Sequence, residues 1–383
     1  MIDESTNGPA AQRSAVKTQA ALPALTIRAL SYHEAQQVPE IWNAAWHRAT
    51  PGPNPYPLSP AIWAQRLASR HHEPTLLLGG FVDERLVAVA YAKLPRSAWQ
   101  APNAAWLSLL AVTPEFQGRG LGTAISGRLL RLLSERGATV IKFGGDADHL
   151  LTGPPQESGQ ATWRLLRHHG ASFGAAEHDL HLDLGPEPPA ANLPAGWCLR
   201  TDDPQGAVAF VTDAFPGRWA EELVDYLAGG AIVMTLEREA TATSTAPAEV
   251  KGFCAIFLGG EKVVSPGLIW GAAFRQELEA SGSERVSLAG IGPLGIAPEV
   301  RGSGLGEALV RGAANYVRDN GGTDLIINWT SLTAFYGRLG ARLWRSYQRA
   351  EAPLLQTAAQ QQAIEVSGNH DATNAEEGTS DAG

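Results

Sequence analysis

Cysteine is nearly absent from this sequence. Cys198 and Cys254 are the only two, too few for a secreted disulfide framework and not part of a clustered thiolate pair, so a reducing compartment, the cytoplasm, is expected. Long apolar runs are missing as well. No stretch approaches the roughly 18 uninterrupted apolar residues of a membrane span, and Met1 to Ala10 is acidic and polar with no apolar signal core, so neither a membrane nor a targeting step is expected. Positive charge is in deficit: 30 Lys and Arg against 39 Asp and Glu leave a net charge of −9. Such a chain repels phosphate backbones and anionic lipid at long range, which makes nucleic acid a poor partner and a cationic small molecule a better one. There is no Gly-x-Ser-x-Gly elbow and no His-Glu-x-x-His, so serine hydrolase and zinc protease chemistry lack support. The ten histidines, His71-His72 and His168-His169 among them, do not cluster at ligand spacing; they are expected to be solvated, and no metal is expected.

What is present describes a globular protein of more than one domain. Hydrophobic residues make up 44% and charged residues 18% of 383 positions, enough to build a sizeable core, and the length favours two or three domains. Residues 1–24 and 353–383 read as disordered tails. Gly185-Pro186-Glu187-Pro188-Pro189 blocks helix and sheet ladders, so 186–194 reads as an extended linker. A second break, Ala240 to Ala248, is rich in Ala, Thr and Ser and reads as a long hairpin loop.

The two sides of the linker repeat each other. Leu110 to Gly122 aligns without gaps on Leu294 to Gly306 at an offset of 184, with seven of thirteen positions identical. The apolar stripe that follows keeps the offset: Leu121, Ile125, Leu129, Leu132 and Leu133 correspond to Leu305, Leu309, Ala313, Tyr316 and Val317, a helical spacing. Each copy reads in the same order. In the first, a strand over Leu25 to Ala29 precedes one helix over Glu34 to Arg48 and another over Ala61 to Arg70. An antiparallel meander follows over Thr75 to Val82, Leu86 to Leu94 and Ala104 to Val112. Then come the glycine-bearing turn with its helix, a strand over Thr139 to Gly144, a helix ending near Gly170 and a last strand over Asp179 to Leu184. The second copy runs from Trp197 to about Ala350.

Each repeat centres on a glycine loop between a buried strand and an amphipathic helix: Gln117-Gly118-Arg119-Gly120-Leu121-Gly122 and Arg301-Gly302-Ser303-Gly304-Leu305-Gly306. Glycines allow a tight turn and close approach of a ligand, and the helix start offers unpaired N–H groups at the positive end of the helix dipole, a setting for a diphosphate. Neither loop carries the lysine of a phosphate-hydrolysing loop. The Gly-x-Gly-x-Gly spacing after several strands also misses the dinucleotide fingerprint.

Both loops follow the pattern Gln or Arg, two free positions, Gly, one free position, then Gly, in a strand-loop-helix setting, and in this the chain resembles the GNAT acyltransferases. The resemblance covers about 25 to 185 and 195 to 350 and implies an α+β fold of two consecutive GNAT-type domains, 25–185 and 195–352. Each would be a mixed, mostly antiparallel, splayed β-sheet flanked by helices. It implies acetyl-CoA as co-substrate and a small-molecule primary amine as acceptor, joined by direct transfer in a ternary complex. It also implies that the cofactor's diphosphate lies on Gln117 to Gly122 and Arg301 to Gly306, and its pantetheine arm beside Leu110, Ala111 and Val112 and beside Leu294, Gly295 and Ile296.

Phe335-Tyr336-Gly337-Arg338-Leu339-Gly340-Ala341 resembles the family's closing segment, whose tyrosine protonates the departing CoA thiolate. A phenol of pKa near 10 is a competent donor to a thiolate of pKa about 8.5; a core tyrosine is the plainer alternative. The position equivalent to Tyr336 in the first half is Leu166, which cannot donate a proton, so the second half is expected to be catalytic and the first to bind CoA, shape the acceptor site or brace the fold. A non-catalytic, CoA-binding sensor or scaffold is the competing reading. Gly295 is expected to permit a bulge that splays the strand and aims an amide at the thioester, and Asn328 either contacts pantetheine or is a satisfied strand-end amide. The first half carries 14 extra residues around Gly145 to Ser158, including Asp146, Asp148 and His149, which read either as base or acceptor contacts or, the plainer alternative, as a solvated polar loop. Glu222 and Asp225 lie on a helix beside the acceptor side without marking themselves as the base. Trp42, Trp46, Trp270 and Trp329 are candidates for stacking on a substrate, although buried core is the commoner fate.

Overall fold

Ser31 caps the first helix with a capping box to Glu34, and Pro39 then ends it, because proline has no N–H to continue the ladder to Ala35. The carbonyl of Ala35 instead accepts from the Trp63 indole at 2.7 Å. The single helix expected from Glu34 is therefore two, α1 (Tyr32–Ala35) and α2 (Val38–Ala49), and its core residues Val38, Ile41 and Trp42 are buried as the periodicity requires.

The computed structural model describes residues 24–49, 53–185, 190–239, 248–262, 265–283 and 285–354. The tails at 1–23 and 355–383, residues 186–189 of the linker and 240–247 of the expected hairpin loop lie outside the described residues. The first half begins with β1 (Leu25–Ala29), which precedes α1 and α2. It continues through α3 (Pro60–Leu67), β2 (Leu77–Val82), β3 (Arg85–Lys93), β4 (Ala104–Val112), α4 (Leu121–Glu135), β5 (Val140–Phe143), α5 (Gln160–His168) and β6 (Ser172–Asp183). The second comprises β7 (Trp197–Arg200), α6 (Pro204–Ala214), α7 (Arg218–Ala228), β8 (Ile232–Arg238), β9 (Glu249–Phe257), α8 (Gly271–Ala280), β10 (Leu288–Ile296), α9 (Leu305–Asp319), β11 (Asp324–Thr330), α10 (Thr333–Arg338) and β12 (Arg342–Pro353). The last strand of the first half starts at Ser172, seven residues earlier than its apolar pattern suggests, because its first turn of pairing is with β12 rather than with the core.

Among the described residues the strands form one twelve-stranded sheet in the order β1-β2-β3-β4-β5-β12-β6-β11-β10-β9-β8-β7. Within each half the pairs are antiparallel except β4 with β5 and β10 with β11, which are parallel and joined by the crossover helices α4 and α9. The halves exchange their final strands at the centre. β12 of the second half lies between β5 and β6 of the first, and β6 lies between β12 and β11. Neither half therefore presents an open edge where the two meet. α4 and α9 bury most of the predicted stripes, Leu121, Ile125, Leu129 and Leu133 on one and Leu305, Leu309, Ala313 and Val317 on the other, while Leu132 and Tyr316 are partly buried.

Candidate active site

The glycine loops have the geometry of open cradles. Gly118 and Gly120 have φ of +76° and +83°, and Gly302 and Gly304 have +79° and +84°, a left-handed backbone that glycine adopts without a Cβ penalty. Gly120 and Gly304 are the N-caps of α4 and α9. The first capping bonds inside these helices are donated by Ala124 and Ala308, to the carbonyls of Gly120 and Gly304, and the preceding amides, residues 118–123 and 302–307, have no backbone acceptor among the described residues. A Cβ built at Gly118, Gly302 or Gly304 would touch nothing within 4 Å among the described residues, so the space over the loops is open there. Gln117 and Arg301 fix the loops from below, Gln117 Nε2 donating to the Val112 carbonyl at 2.8 Å and Arg301 Nε to that of Ile296 at 3.4 Å. Ser303 Oγ donates to the Val300 carbonyl at 2.6 Å.

Both parallel strand pairs splay just before these loops. β4 and β5 stay in register from Ala104↔Val140 to Leu107↔Phe143 and then part, and β10 and β11 do so after Ile291↔Ile327. The bulge that bends β10 lies at Gly292-Pro293, where the pairing to β9 shifts from Ile291↔Ile256 to Leu294↔Cys254. Proline cannot donate to the ladder there. Gly295 was expected to carry that bulge and does not; it is small because Phe215 packs on it, and a Cβ at this position would sit 2.7 Å from Phe215 Cζ. Leu294, Gly295 and Ile296 remain paired with β9 and, among the described residues, have no strand paired on their β11 side.

A cavity opens at each splay. The first, about 860 Å³, is lined by Leu110, Ala111 and Val112, by Gln117, Gly118, Gly120 and Gly122 of the loop, and by Leu166. The second, about 890 Å³, is lined by Ile291 to Leu294, by Ile327 to Leu332 and by Tyr336. Leu294, Asn328 and Tyr336 thus come together, while Gly295, Ile296 and Arg301 to Gly306 lie outside the residues lining that cavity. Tyr336 is 6% exposed, and burial pushes its hydroxyl well above the usual phenol range, which keeps it protonated. Asn328 is no satisfied strand-end amide: its Oδ1 is buried without a hydrogen-bond partner among the described residues. The ladder skips it, because β11 pairs Ile327↔Leu180 and next Thr330↔His178 on β6, and Trp329, at φ +52°, donates its N–H to Asp179 Oδ1 at 3.1 Å. Of the four tryptophans, Trp42, Trp46 and Trp270 pack in one aromatic core cluster with Tyr56, with Trp42 and Trp46 also reaching the edge of the first cavity; Trp329 lines the second.

The inserted segment Gly145 to Ser158 overturns the expectation of a solvated loop. Asp146 is fully buried and paired with Lys93 at 2.8 Å, and Asp148 pairs with the same ammonium. His149 is held against α7 of the second half: its Nε2 lies 2.6 Å from Glu222 Oε1 and 3.2 Å from the Tyr226 hydroxyl. Glu222 lines the second cavity, whereas Asp225 is exposed and bonded to Arg70. The histidines expected in solvent are largely not there; His71 is buried, and burial, foremost, holds His71, His72, His149 and His169 below the ordinary imidazole range. The sequence leaves His149 either as a base or acceptor contact or as part of a solvated loop, and the structure places it on the wall of the second cavity; the insertion relative to the partner repeat is the signal that singles it out.

Residues 36–150 match the Acetyltransferase (GNAT) family and residues 220–344 match the Acetyltransferase (GNAT) domain, together more than half of the chain. The chain belongs to the GNAT acetyltransferase family. It carries two GNAT domains, as the resemblance implied, in a mixed α+β, mostly antiparallel fold with flanking helices. Solved structures share this GNAT fold at low identity. One is the GCN5-related glucosamine N-acetyltransferase region of a fungal multi-domain GH3 β-N-acetylglucosaminidase, with TM-score 0.68 and 19% identity over 87% of this chain and 38% of that longer one. A GCN5-related N-acetyltransferase from Sphaerobacter thermophilus follows at 0.60 and 17%, over 88% of this chain and 99% of that one. A tandem GNAT protein from the clavulanic acid biosynthesis pathway gives 0.59 and 16%, over 87% and 99%. No curated protein matches the sequence. No helix among the described residues is long and apolar enough to cross a membrane.

Proposed function

We propose that this GNAT protein is an N-acyltransferase that moves an acetyl group from acetyl-CoA to a primary amine on a small molecule, with the reaction in the second half and direct transfer in a ternary complex. The observation that carries this reading is the pairing, in one cavity at a strand splay, of a protonated buried phenol, Tyr336, with an unsatisfied amide oxygen, Asn328 Oδ1. The two open cradles of unpaired amides fit a diphosphate, and the orphaned Asn328 oxygen fits an amide N–H of a pantetheine arm.

Acetyl-CoA supplies the activated thioester. On this reading Leu294 to Ile296 flank the arm on the splayed side of β10, Arg301 to Gly306 hold the diphosphate with backbone amides, Asn328 accepts from the arm, and Tyr336 donates its proton to the departing sulfur. In the first half, Leu110 to Val112 and Gln117 to Gly122 offer a second cofactor site, but Leu166 stands where a proton donor is needed. That half therefore binds CoA without turnover or braces the second. The cytoplasm suits a chain whose two cysteines are free. The acceptor class is tested directly: the purified chain is incubated with acetyl-CoA and a panel of amino sugars, aminoglycosides, other primary amines and peptide N-termini, and thiol release is followed. An amino sugar belongs on the panel because the fungal relative's region is named a glucosamine N-acetyltransferase. Thiol release with any amine above the amine-free rate supports the reading. Acetyl-CoA binding by calorimetry with no release from any amine would favour the CoA-binding sensor or scaffold.

A further inference from the structure

Four titratable side chains that have no role so far meet at the wall of the second cavity, and they come from both halves of the chain. His149 belongs to the inserted segment of the first half; Arg218, Glu222 and Tyr226 belong to α7 of the second, and all four line the cavity that holds Tyr336 and Asn328. The segment is anchored for this contact. Lys93 holds Asp146 and Asp148 from within the first half, and Arg218 Nη2 donates to the Asp146 carbonyl at 2.9 Å across the junction. The Arg218 guanidinium is itself held between the rings of Trp99 and Trp329, 5.3 and 5.2 Å from their centroids. Trp329 also packs on the imidazole, ring centroids 4.5 Å apart.

The contacts around the imidazole set its tautomer. Glu222 Oε1 accepts from Arg218 Nε at 2.5 Å and lies 2.6 Å from His149 Nε2. Burial alone would raise the Glu222 carboxyl, but His149 and Arg218 hold it below its ordinary value, so it is a carboxylate and can only accept. The proton of neutral His149 must then sit on Nε2, and Nδ1 carries the lone pair. Arg218 Nη2 is 3.0 Å from Nδ1 and 3.0 Å from Nε2. A group equidistant from both nitrogens at that range cannot lie in the ring plane without overlapping Cε1, so it stands over the ring face and is not in line with the Nδ1 lone pair. Burial first, and then the Arg218 charge, hold His149 below the ordinary imidazole range, with Glu222 and Asp146 acting the other way. The imidazole is therefore neutral at pH 7, on the wall of the second cavity, with its Nδ1 met by the face-on Arg218 guanidinium and, among the described residues, by no carboxylate.

We infer that His149 is the proton acceptor for the amine that reacts in the second cavity, positioned by Glu222, so that the first half of the chain supplies a catalytic residue to the second half's reaction. The inference rests on the acyl-transfer reading above. As the amine nitrogen bonds to the acyl carbon, its N–H bond breaks and the proton passes to His149 Nδ1; the imidazolium is stabilised by the Glu222 carboxylate through Nε2–H. Tyr336 gives one proton to the departing thiolate. One proton then returns from the imidazolium to the phenolate through the open cavity, so the residues end as they began.

The test uses the full chain with an amine that the panel identifies. kcat/KM is measured against pH for the wild type, His149→Gln, Glu222→Gln and Tyr336→Phe. The wild type is expected to gain activity through an acid limb and then level. His149→Gln should lose activity on the order of 100-fold and lose that limb, while Glu222→Gln should keep the limb but move it to lower pH, because the carboxylate that favours the imidazolium is gone, with KM for acetyl-CoA unchanged. His149→Gln retaining both rate and limb would overturn the inference; if Tyr336→Phe is then still impaired, the acyl-transfer reading stands without it. A measurement that needs no acceptor runs alongside: ¹⁵N NMR of histidine-labelled protein should show the resonance deleted by His149→Gln as a neutral Nε2–H tautomer at pH 7. An Nδ1–H tautomer or an imidazolium at that pH would overturn the inference whatever the kinetics. A chain that binds acetyl-CoA and turns over no amine removes the underlying reading and this inference with it.

Discussion

Lys93 and Asp146 form an ion pair of 2.8 Å between Nζ and Oδ1, with the two side chains only 2% and 0% exposed. The pair ties the end of β3 to the inserted segment that reaches the second half's cavity. Removing one partner of such a pair strands the other charge in a medium that cannot solvate it. Lys93→Met leaves Asp146 and Asp148 buried together, and is expected to lower stability by roughly 3–5 kcal/mol. Chemical denaturation monitored by tryptophan fluorescence checks this; a loss within about 0.5 kcal/mol, the usual range for surface changes, would contradict it.

The exchange of final strands makes a second prediction. β5 of the first half has its outer neighbour in β12, and β11 of the second has its outer neighbour in β6. Fragments cut at the linker, 1–189 and 190–383, each lose a central ladder and expose an unpaired edge. Expressed alone they should aggregate or remain incompletely folded, and expressed together they should recover one complex, read by size-exclusion chromatography and amide hydrogen exchange. Two separately folded monomeric fragments would contradict the exchange.

Much of this architecture was legible in the sequence, and the boundary falls at sequence separation. The glycine loops and the stripes of α4 and α9 are local patterns repeated at one offset, the Tyr336 segment is a local pattern of the second half alone, and the structure shows the two GNAT domains they implied. What failed depends on distant partners. Asp146 and Asp148 look solvated until Lys93, more than fifty residues earlier, is seen to neutralise them, and His149 gains its place only from Glu222 on the other side of the linker. Gly295 looks like a bulge residue by type, yet its smallness answers to Phe215, and the bulge falls on the neighbouring Gly292-Pro293. Strand exchange leaves no local mark, because β6 and β12 have the same alternation whichever sheet neighbour they take.

Asp179 gives a pH prediction with a definite sign. Burial pushes its carboxyl up to about 7 from an ordinary 3.8, against the bonds it accepts from Tyr347 and the Trp329 amide. The folded state therefore holds this proton more tightly than the unfolded chain, so the group's stabilising contribution is complete below pH 3.8 and is lost as pH rises to about 7. The difference in Tm between wild type and Asp179→Asn should shift in the variant's favour between pH 4 and pH 7 and stay level above. A difference independent of pH across that window would contradict the assignment.

The central claim is that the Tyr336 hydroxyl protonates the leaving thiolate in the second cavity, and Tyr336→Phe removes that oxygen alone. With an amine that the wild type turns over, kcat should fall on the order of 100-fold, while the acetyl-CoA affinity measured by calorimetry on the same protein stays the same. An unchanged kcat would contradict the account.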